Sequence, residues 1–195
     1  MKPMLPWLLF GIACAAQWAA PLATIRAQEQ VIARGEVVRI AVAAPDPYDP
    51  LRGRYLRVRP QEVVVVLEPE LAHLKSGNKV WVQLEKRSDG LHHIGKVTEE
   101  KPSSGDYVLG TLRHGWWIRD SNSPERVQKP SIDWPFDRFY LNEKLAPQAD
   151  VGLRENTRGN KTVVAELRLL KGKAVLTDLE LDGRSFREIL KEQVK

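Results

Sequence analysis

The sequence predicts a mostly β protein: a single β-sandwich or barrel-like domain after one N-terminal transmembrane helix, with a short C-terminal helix. Three observations carry this prediction: an uncharged apolar stretch near the N-terminus, a series of short alternating segments separated by turn residues, and a polar, helix-forming C-terminal segment. A chain of 195 residues can bury a core without disulfides. We predict an anchor at residues 1–27 and an extracytoplasmic β-rich domain at residues 28–195.

The N-terminal apolar stretch is long enough to cross a membrane. Met4 to Ile25 contains no charged residue and lies between Lys2 and Arg26. As a helix it would reach about 33 Å, against a hydrocarbon core of about 30 Å. The pattern favours an uncleaved anchor with the N-terminus inside, although Arg26 and Arg34 weaken the charge bias.

Two alternatives stay open for this segment. A cleaved signal peptide could end at small residues such as Ala19 and Ala20, but the apolar run continues beyond them. A lipoprotein signal would use Cys14, yet Gly11 stands where a branched aliphatic residue is usual. Each alternative places the rest of the chain outside the cytoplasm, and the anchor would make the protein a single-pass membrane protein.

Alternating apolar and polar residues predict strands in the first half of the domain. The segments are GEVVRIAVAAP (35–45), RYLRVR (54–59), EVVVVLE (62–68), KVWVQLEK (79–86) and LHHIGKVT (91–98). The RSDG sequence at 87–90 has turn chemistry and predicts a hairpin between the last two.

In the second half, YVLGTLRHGWWI (107–118) predicts a strand pair or one long bent strand. Residues 120–133 have no periodicity and two prolines, which predicts a mobile surface loop. Residues 144–160 predict a polar connection with room for a helical turn. The strongest hairpin is predicted within 161–183, with its turn at 171–173, and the last helix follows with Ser185 as cap and Glu188 at capping-box spacing.

Composition excludes some function classes. The net charge of +5 comes from 30 basic and 25 acidic residues that are interspersed, so no nucleic-acid stripe is predicted. Cys14 is the single cysteine, so the domain has neither an internal disulfide nor a thiolate metal site. The neighbours His92 and His93 would point to opposite faces of a strand, and the sequence predicts no metal or cofactor.

The segment before the second strand reads as a tight corner. Asp46 and Asp49 each precede a proline, Pro47 and Pro50, and predict two successive turns. Gly53 permits a close approach, between two arginines that are within reach of those aspartates. The corner is therefore predicted to lock the connection between the first two strands.

The strand after this corner has two different faces. Tyr55, Arg57 and Arg59 share one face, while Leu56 and Val58 share the other. The aromatic and basic face is either a binding surface or merely solvated.

Catalysis finds little support in the sequence, since no nucleophile motif, zinc signature or phosphate loop is present. A carboxylate-dependent hydrolase could use Asp46, Asp49, Asp137 and Glu143 if the fold brings the corner beside the FDRFY segment at 136–140. A small-ligand binder could use Trp116, Trp117 and Trp134, although such residues more often fill cores.

Three segments resemble the GDYXXLXY proteins, which are uncharacterised and membrane-anchored in bacteria. Residues 45–55 are similar to the family's PVDPxDxxRGxY segment, 136–140 to its IERYF stretch, and 172–183 to its C-terminal hairpin. Gly53 and Tyr55 keep the signature, whereas Arg54, Val58 and Pro60 depart from it. The motif positions that become site candidates are Asp46, Pro47, Asp49, Pro50, Arg52, Gly53, Tyr55, Asp137, Arg138 and Tyr140.

The resemblance implies a location, namely the inner membrane of a bacterial envelope with a periplasmic domain, and a small β-rich domain, but no activity. It also implies a polytopic membrane protein as a partner. We therefore expect an anchored binding or assembly module for another envelope component. A hydrolase and an anchored small-ligand binder are the alternatives.

Overall fold

A computed structural model describes residues 5–43, 55–62, 71, 73–119, 126–141, 149, 152 and 162–193. Helix α1 spans Leu5–Arg34 and continues past residue 27, where the anchor is predicted to end. Most of its apolar side chains are exposed, and it is the one described helix that is long and apolar enough to cross a membrane. Length and composition alone support this, and a signal sequence meets the same criteria.

The last turns of α1 pack directly onto the β domain. Val31 is 2% exposed, and the Gly35 amide donates a 2.8 Å hydrogen bond to the Val31 carbonyl. A Cβ at Gly35 would lie 2.4 Å from that carbonyl oxygen and 2.9 Å from the Leu169 amide. Position 35 therefore requires glycine, because the neighbouring backbone leaves no room for a side chain. The helix joins the sheet without a flexible linker.

Eleven strands and a second helix follow in the described chain. They are β1 Glu36–Ala43, β2 Tyr55–Arg57, β3 Arg59–Pro60, β4 Lys79–Lys86, β5 His92–Thr98, β6 Asp106–Arg119, β7 Arg126–Asp133, β8 Arg138–Tyr140, β9 Val163–Leu170, β10 Lys173–Leu181, β11 Arg184–Ser185 and α2 Phe186–Gln193. The predicted mostly β fold with a long N-terminal helix and a short C-terminal helix is confirmed.

The strands form three antiparallel sheets. Among the described strands, one sheet has the order β11-β10-β9-β1-β3, the second has the order β5-β4-β6-β7, and the third pairs β2 with β8. The main core lies between them and combines residues from each, including Val38, Leu167, Val108, Leu56 and Phe139. A smaller cluster under the second sheet is built around Val80, Val82, Val97 and Ile132.

The β9–β10 hairpin is confirmed in detail. Lys171 and Gly172 both have positive φ, 51° and 86°, the geometry that a two-residue type I′ turn requires. The Gly172 carbonyl accepts a 2.9 Å hydrogen bond from the Leu109 amide of β6, so the turn also links two sheets. Two further predictions hold: the β4–β5 hairpin forms, and β6 is one long strand with an irregularity between Arg113 and Trp116.

The prediction of a mobile loop at 120–133 is wrong for residues 126–133. They form β7, which pairs with β6 from Thr111↔Asp133 to Arg119↔Arg126. Among the described strands β7 lies at the edge of its sheet, and Pro130 lies opposite the irregularity in β6; both are positions at which a strand tolerates proline. Residues 120–125 lie outside the described residues.

Other predictions fall on parts of the chain that the structure does not describe. The four valines at 63–66, the corner at 44–54 and most of 144–160 are among them. Within the last segment, Ala149 is described as helical and is fully buried in the main core.

Candidate functional site

Two segments that are distant in sequence meet in the small sheet. Strand β2 pairs antiparallel with β8 in the register Tyr55↔Tyr140, Leu56↔Phe139 and Arg57↔Arg138. Both strands alternate, so the middle residues point inward and the flanking residues point outward. The sequence predicted the two faces of β2, and the structure adds the matching strand.

The outward residues form a compact surface, which we call the Tyr-Arg face: Tyr55, Arg57, Arg138 and Tyr140. The rings of Tyr55 and Tyr140 lie 5.9 Å apart at 53°, and the Arg138 guanidinium lies 5.2 Å from the centre of the Tyr55 ring. Tyr140 is 63% exposed, an unusual position for a large aromatic side chain. The face thus presents two aromatic rings and two guanidinium groups to solvent.

Asp137 holds both arginines at the edge of this face. Its carboxylate lies 3.6 Å from Arg57 Nη2 and 3.5 Å from Arg138 Nε. Its carbonyl accepts a 3.0 Å hydrogen bond from the Val58 amide. A hydrogen bond to Tyr140 and the nearby charge of Asp137 raise the pKa of Arg138 above its usual value. These contacts orient the two guanidinium groups.

The underside of the small sheet is firmly packed. Leu56 and Phe139 are 2% and 1% exposed, and both belong to the main core. Phe136 is also buried, with its ring 5.5 Å from that of Trp134. The Arg187 guanidinium of α2 lies 4.8 Å from the Phe139 ring centre. The Tyr-Arg face is therefore displayed on a rigid support.

Four of the predicted site residues meet here, namely Tyr55, Asp137, Arg138 and Tyr140. The others, Asp46, Pro47, Asp49, Pro50, Arg52 and Gly53, lie outside the described residues, as does Glu143. The spacing between Asp49 and Asp137 that a hydrolase would need therefore stays a prediction.

Several signature positions have a packing role. Val58, where the signature has leucine, is 2% exposed, and Pro60, where it has tyrosine, is buried. Tyr55 is the described signature residue that reaches the Tyr-Arg face. The signature positions thus include residues that are buried in the domain as well as one residue of the Tyr-Arg face.

A second polar cluster was not predicted from the sequence. His93 Nδ1 lies 2.6 Å from Glu62 Oε1, and its Nε2 lies 2.8 Å from Asp89 Oδ2. Hydrogen bonds to Glu62 and then to Asp89 raise the pKa of His93. Burial opposes the shift at Glu62, but hydrogen bonds from His93 and from the Ile94 amide lower its pKa overall. Asp89 stands only four residues before His93, so local sequence could have indicated that pair. Glu62 is 31 residues away, and no local pattern indicates its contact with His93.

His92 points to the opposite side of β5, as predicted. It is 7% exposed, and its Nδ1 accepts a 3.2 Å hydrogen bond from the Arg39 amide of β1. Its Nδ1 also lies 3.3 Å from the Arg39 carbonyl oxygen, and its Nε2 lies 3.5 Å from Asp106 Oδ2. The His92 side chain therefore covers the edge of β1 at Arg39, beyond the residues Val42 and Ala43 that pair with β3.

A cleft of about 200 Å³ lies beside these histidines. Its lining residues are Ile40, Ala41, Pro60, Gln61, Glu62, His92, His93 and Ile94, with no tryptophan among them. It therefore differs from the tryptophan pocket that the ligand-binding alternative requires. Trp134 packs against both hydrophobic clusters instead.

Metal binding finds no support among the described residues, where no group of three or more His, Cys, Asp or Glu side chains could hold an ion. At His93 the reason is geometric, because each ring nitrogen faces a different carboxylate and the donors do not converge on one point.

Comparison with known proteins identifies the chain at the level of a family. Searches of curated proteins and of solved structures found no match. The family model described as GDYXXLXY protein matches residues 17–179, a span that includes the end of α1, the Tyr-Arg face and the β9–β10 hairpin. The chain therefore belongs to the GDYXXLXY protein family.

Proposed function

We propose that this protein is a single-pass, membrane-anchored module, with its β domain outside the cytoplasm, that binds another envelope protein through the Tyr-Arg face. The observation that carries the proposal is the pairing of β2 with β8, which joins two family-motif segments into one exposed surface. Tyrosine and arginine are, together with tryptophan, the residue types most enriched at the energetic centres of protein interfaces.

The chemistry of the face indicates the kind of partner. Charged Arg57 and Arg138 suit acidic groups, and the rings of Tyr55 and Tyr140 suit apolar or aromatic side chains beside them. Because the Tyr-Arg face sits on a packed core, little ordering entropy is lost on binding. A polytopic membrane protein with an acidic and aromatic segment outside the membrane fits these properties.

The test replaces Tyr140 with a photo-crosslinking residue in the full-length chain in native membranes. We expect one discrete crosslinked partner, and we expect a crosslinker at exposed Lys191 on α2 to give none. Adding Arg138→Ala should reduce the crosslink about tenfold or more, as loss of a hot-spot side chain does. Equal crosslinking at positions 140 and 191, or a crosslink insensitive to Arg138, would contradict the proposal.

Membrane topology is tested separately by intact mass and by protease added from outside. An uncleaved chain whose domain is digested only from outside supports the anchored form. A mass that lacks the first ~20 to 30 residues supports a secreted domain, and a lipid on Cys14 supports a lipoprotein. Either of these would replace the anchored form.

A further inference from the structure

We infer that the end of the β domain next to α1 rests on anionic lipid headgroups through the basic tip of the β9–β10 hairpin. The inference rests on the proposed membrane anchor. It adds a second membrane contact, made by the folded domain itself.

The topology places the hairpin tip at the end of the sheet where α1 enters. Strand β1 leaves α1 at Glu36, and β9 runs antiparallel to it, with Glu36 opposite Leu169. The tip, Lys171 and Gly172, therefore extends beyond the start of β1 on the side of the helix. Because α1 joins β1 through Gly35 alone, the tip stays in this position.

The distance to the membrane follows from the helix. The uncharged run of α1 ends at Ile25, and buried Val31 lies about 9 Å further along the axis. The headgroup region extends roughly 5 to 8 Å beyond the hydrocarbon core on each side. The part of the domain that packs around Val31 is thus within about one Debye length of the lipid surface.

The charges on the end of α1 and on the hairpin are mainly basic. Lys171 and Lys173 are exposed on the hairpin, and Arg26 and Arg34 are exposed on α1. Arg168 contacts the junction, with its guanidinium 3.3 Å from the Gly35 carbonyl oxygen. The acidic residues on segments 26–36 and 168–173 are Glu29 and Glu36.

An aromatic group lies behind the hairpin tip. Trp81 lies so close to Gly172 that a Cβ there would be 2.4 Å from its ring. Lys101 lies 5.9 Å from the centre of the Trp81 ring and 5.7 Å from that of Tyr107. Tryptophan, tyrosine and lysine together are typical of a membrane–water interface.

The test uses the full-length chain in nanodiscs of phosphatidylcholine alone or with one quarter phosphatidylglycerol. A water-soluble reagent acetylates lysines, and mass spectrometry reports the rate at each position. We expect Lys171 and Lys173 to react about fivefold more slowly in the anionic discs, and ~0.5 M salt to remove the difference. Lys191 on α2 serves as the control in the same molecules and should react equally in both lipids.

Equal rates at Lys171 and Lys173 in both lipids would overturn the inference while leaving the anchor intact. If the chain does not remain in nanodiscs at all, the anchor itself is wrong, which is a distinguishable result. Slowing at Lys191 by the same factor would also overturn the inference, since it would indicate a general effect of the anionic surface.

Discussion

At the scale of single residues, the position of His93 between Glu62 and Asp89 makes stability depend on pH. The pKa of His93 is raised from an ordinary value near 6.5, and those of Glu62 and Asp89 are lowered from 4.5 and 3.8. Arg87 opposes the shift at His93. The cluster is thus a charged triad at mildly acidic pH, in which a cation lies between two anions.

The sign of the effect follows from linkage. A histidine with a raised folded pKa stabilises the protein fully below its unfolded pKa, and this contribution is lost as pH rises through the folded pKa. The two carboxylates with lowered pKa stabilise it above their unfolded values, and their contribution is lost as pH falls through the folded ones. The triad should therefore contribute most between about pH 5 and 6.5.

We predict that His93→Gln lowers the melting temperature most within this window and that the difference from the wild type narrows toward pH 9. The matched control is His73→Gln, because His73 pairs with Glu99 at the surface, with 62% of its side chain exposed. That variant should change the melting temperature little at any pH. A His93→Gln difference that is constant from pH 5 to 9 would rule out the charged triad.

Residue-scale patterns predicted the faces of β2 but not its partner. Alternation alone indicates that Leu56 is inward and that Tyr55 and Arg57 are outward. The pairing with Arg138 and Tyr140 is a long-range contact, and short strands allow many pairings of equal local quality. The same reason explains why Glu62 was not predicted beside His93.

At the scale of elements, turn residues predicted the β9–β10 hairpin correctly, whereas hydrophobic periodicity did not predict strand β7. The turn at Lys171 and Gly172 is predicted by local sequence because few residues adopt positive φ. Strand β7 was missed because an edge strand over an irregular partner needs no strict alternation and tolerates Pro130. Local sequence does not mark the end of α1 at Arg34, because residues 26–34 mix polar side chains with apolar ones, of which the sheet buries Val31.

Alanine substitutions at two turn glycines separate the effect of a steric clash with a neighbouring ring from the effect of backbone strain. Gly172 and Gly183 both have positive φ, 86° and 77°, so alanine strains the backbone at either position. At Gly172 the added Cβ would also lie 2.4 Å from the Trp81 ring, whereas nothing lies within 4 Å at Gly183.

We therefore expect Gly183→Ala to cost about 1 kcal/mol and Gly172→Ala to cost at least ~1 to 3 kcal/mol more, measured by urea denaturation. Trp81→Leu in the Gly172→Ala background should recover part of the difference, because it removes the ring that clashes with the new methyl group. Equal losses for the two alanine variants would show that the turn does not press against Trp81.

At the scale of the whole molecule, the helix and the domain form one continuous unit. Composition predicts a boundary between residues 27 and 28, since the uncharged run ends just before it, at Ile25. The packing instead continues to Gly35, where the backbone approaches Leu169 too closely for any side chain. The Tyr-Arg face and the hairpin tip are therefore both fixed in orientation relative to α1, as the proposed contacts with a partner protein and with lipid require.

This continuity predicts different stabilities for two truncations. A chain that begins at residue 28 keeps Val31, whose burial contributes about 1.5 kcal/mol, while a chain that begins at residue 35 loses it. The shorter chain should melt about 3 to 6 °C lower, by circular dichroism, for a domain of this size. Val31→Ser in the longer chain is the control and should reproduce most of that loss, because it removes the apolar contact and keeps the backbone. If both truncations melt together, residues 28–34 belong to the anchor alone, and the domain's orientation on the membrane is set elsewhere.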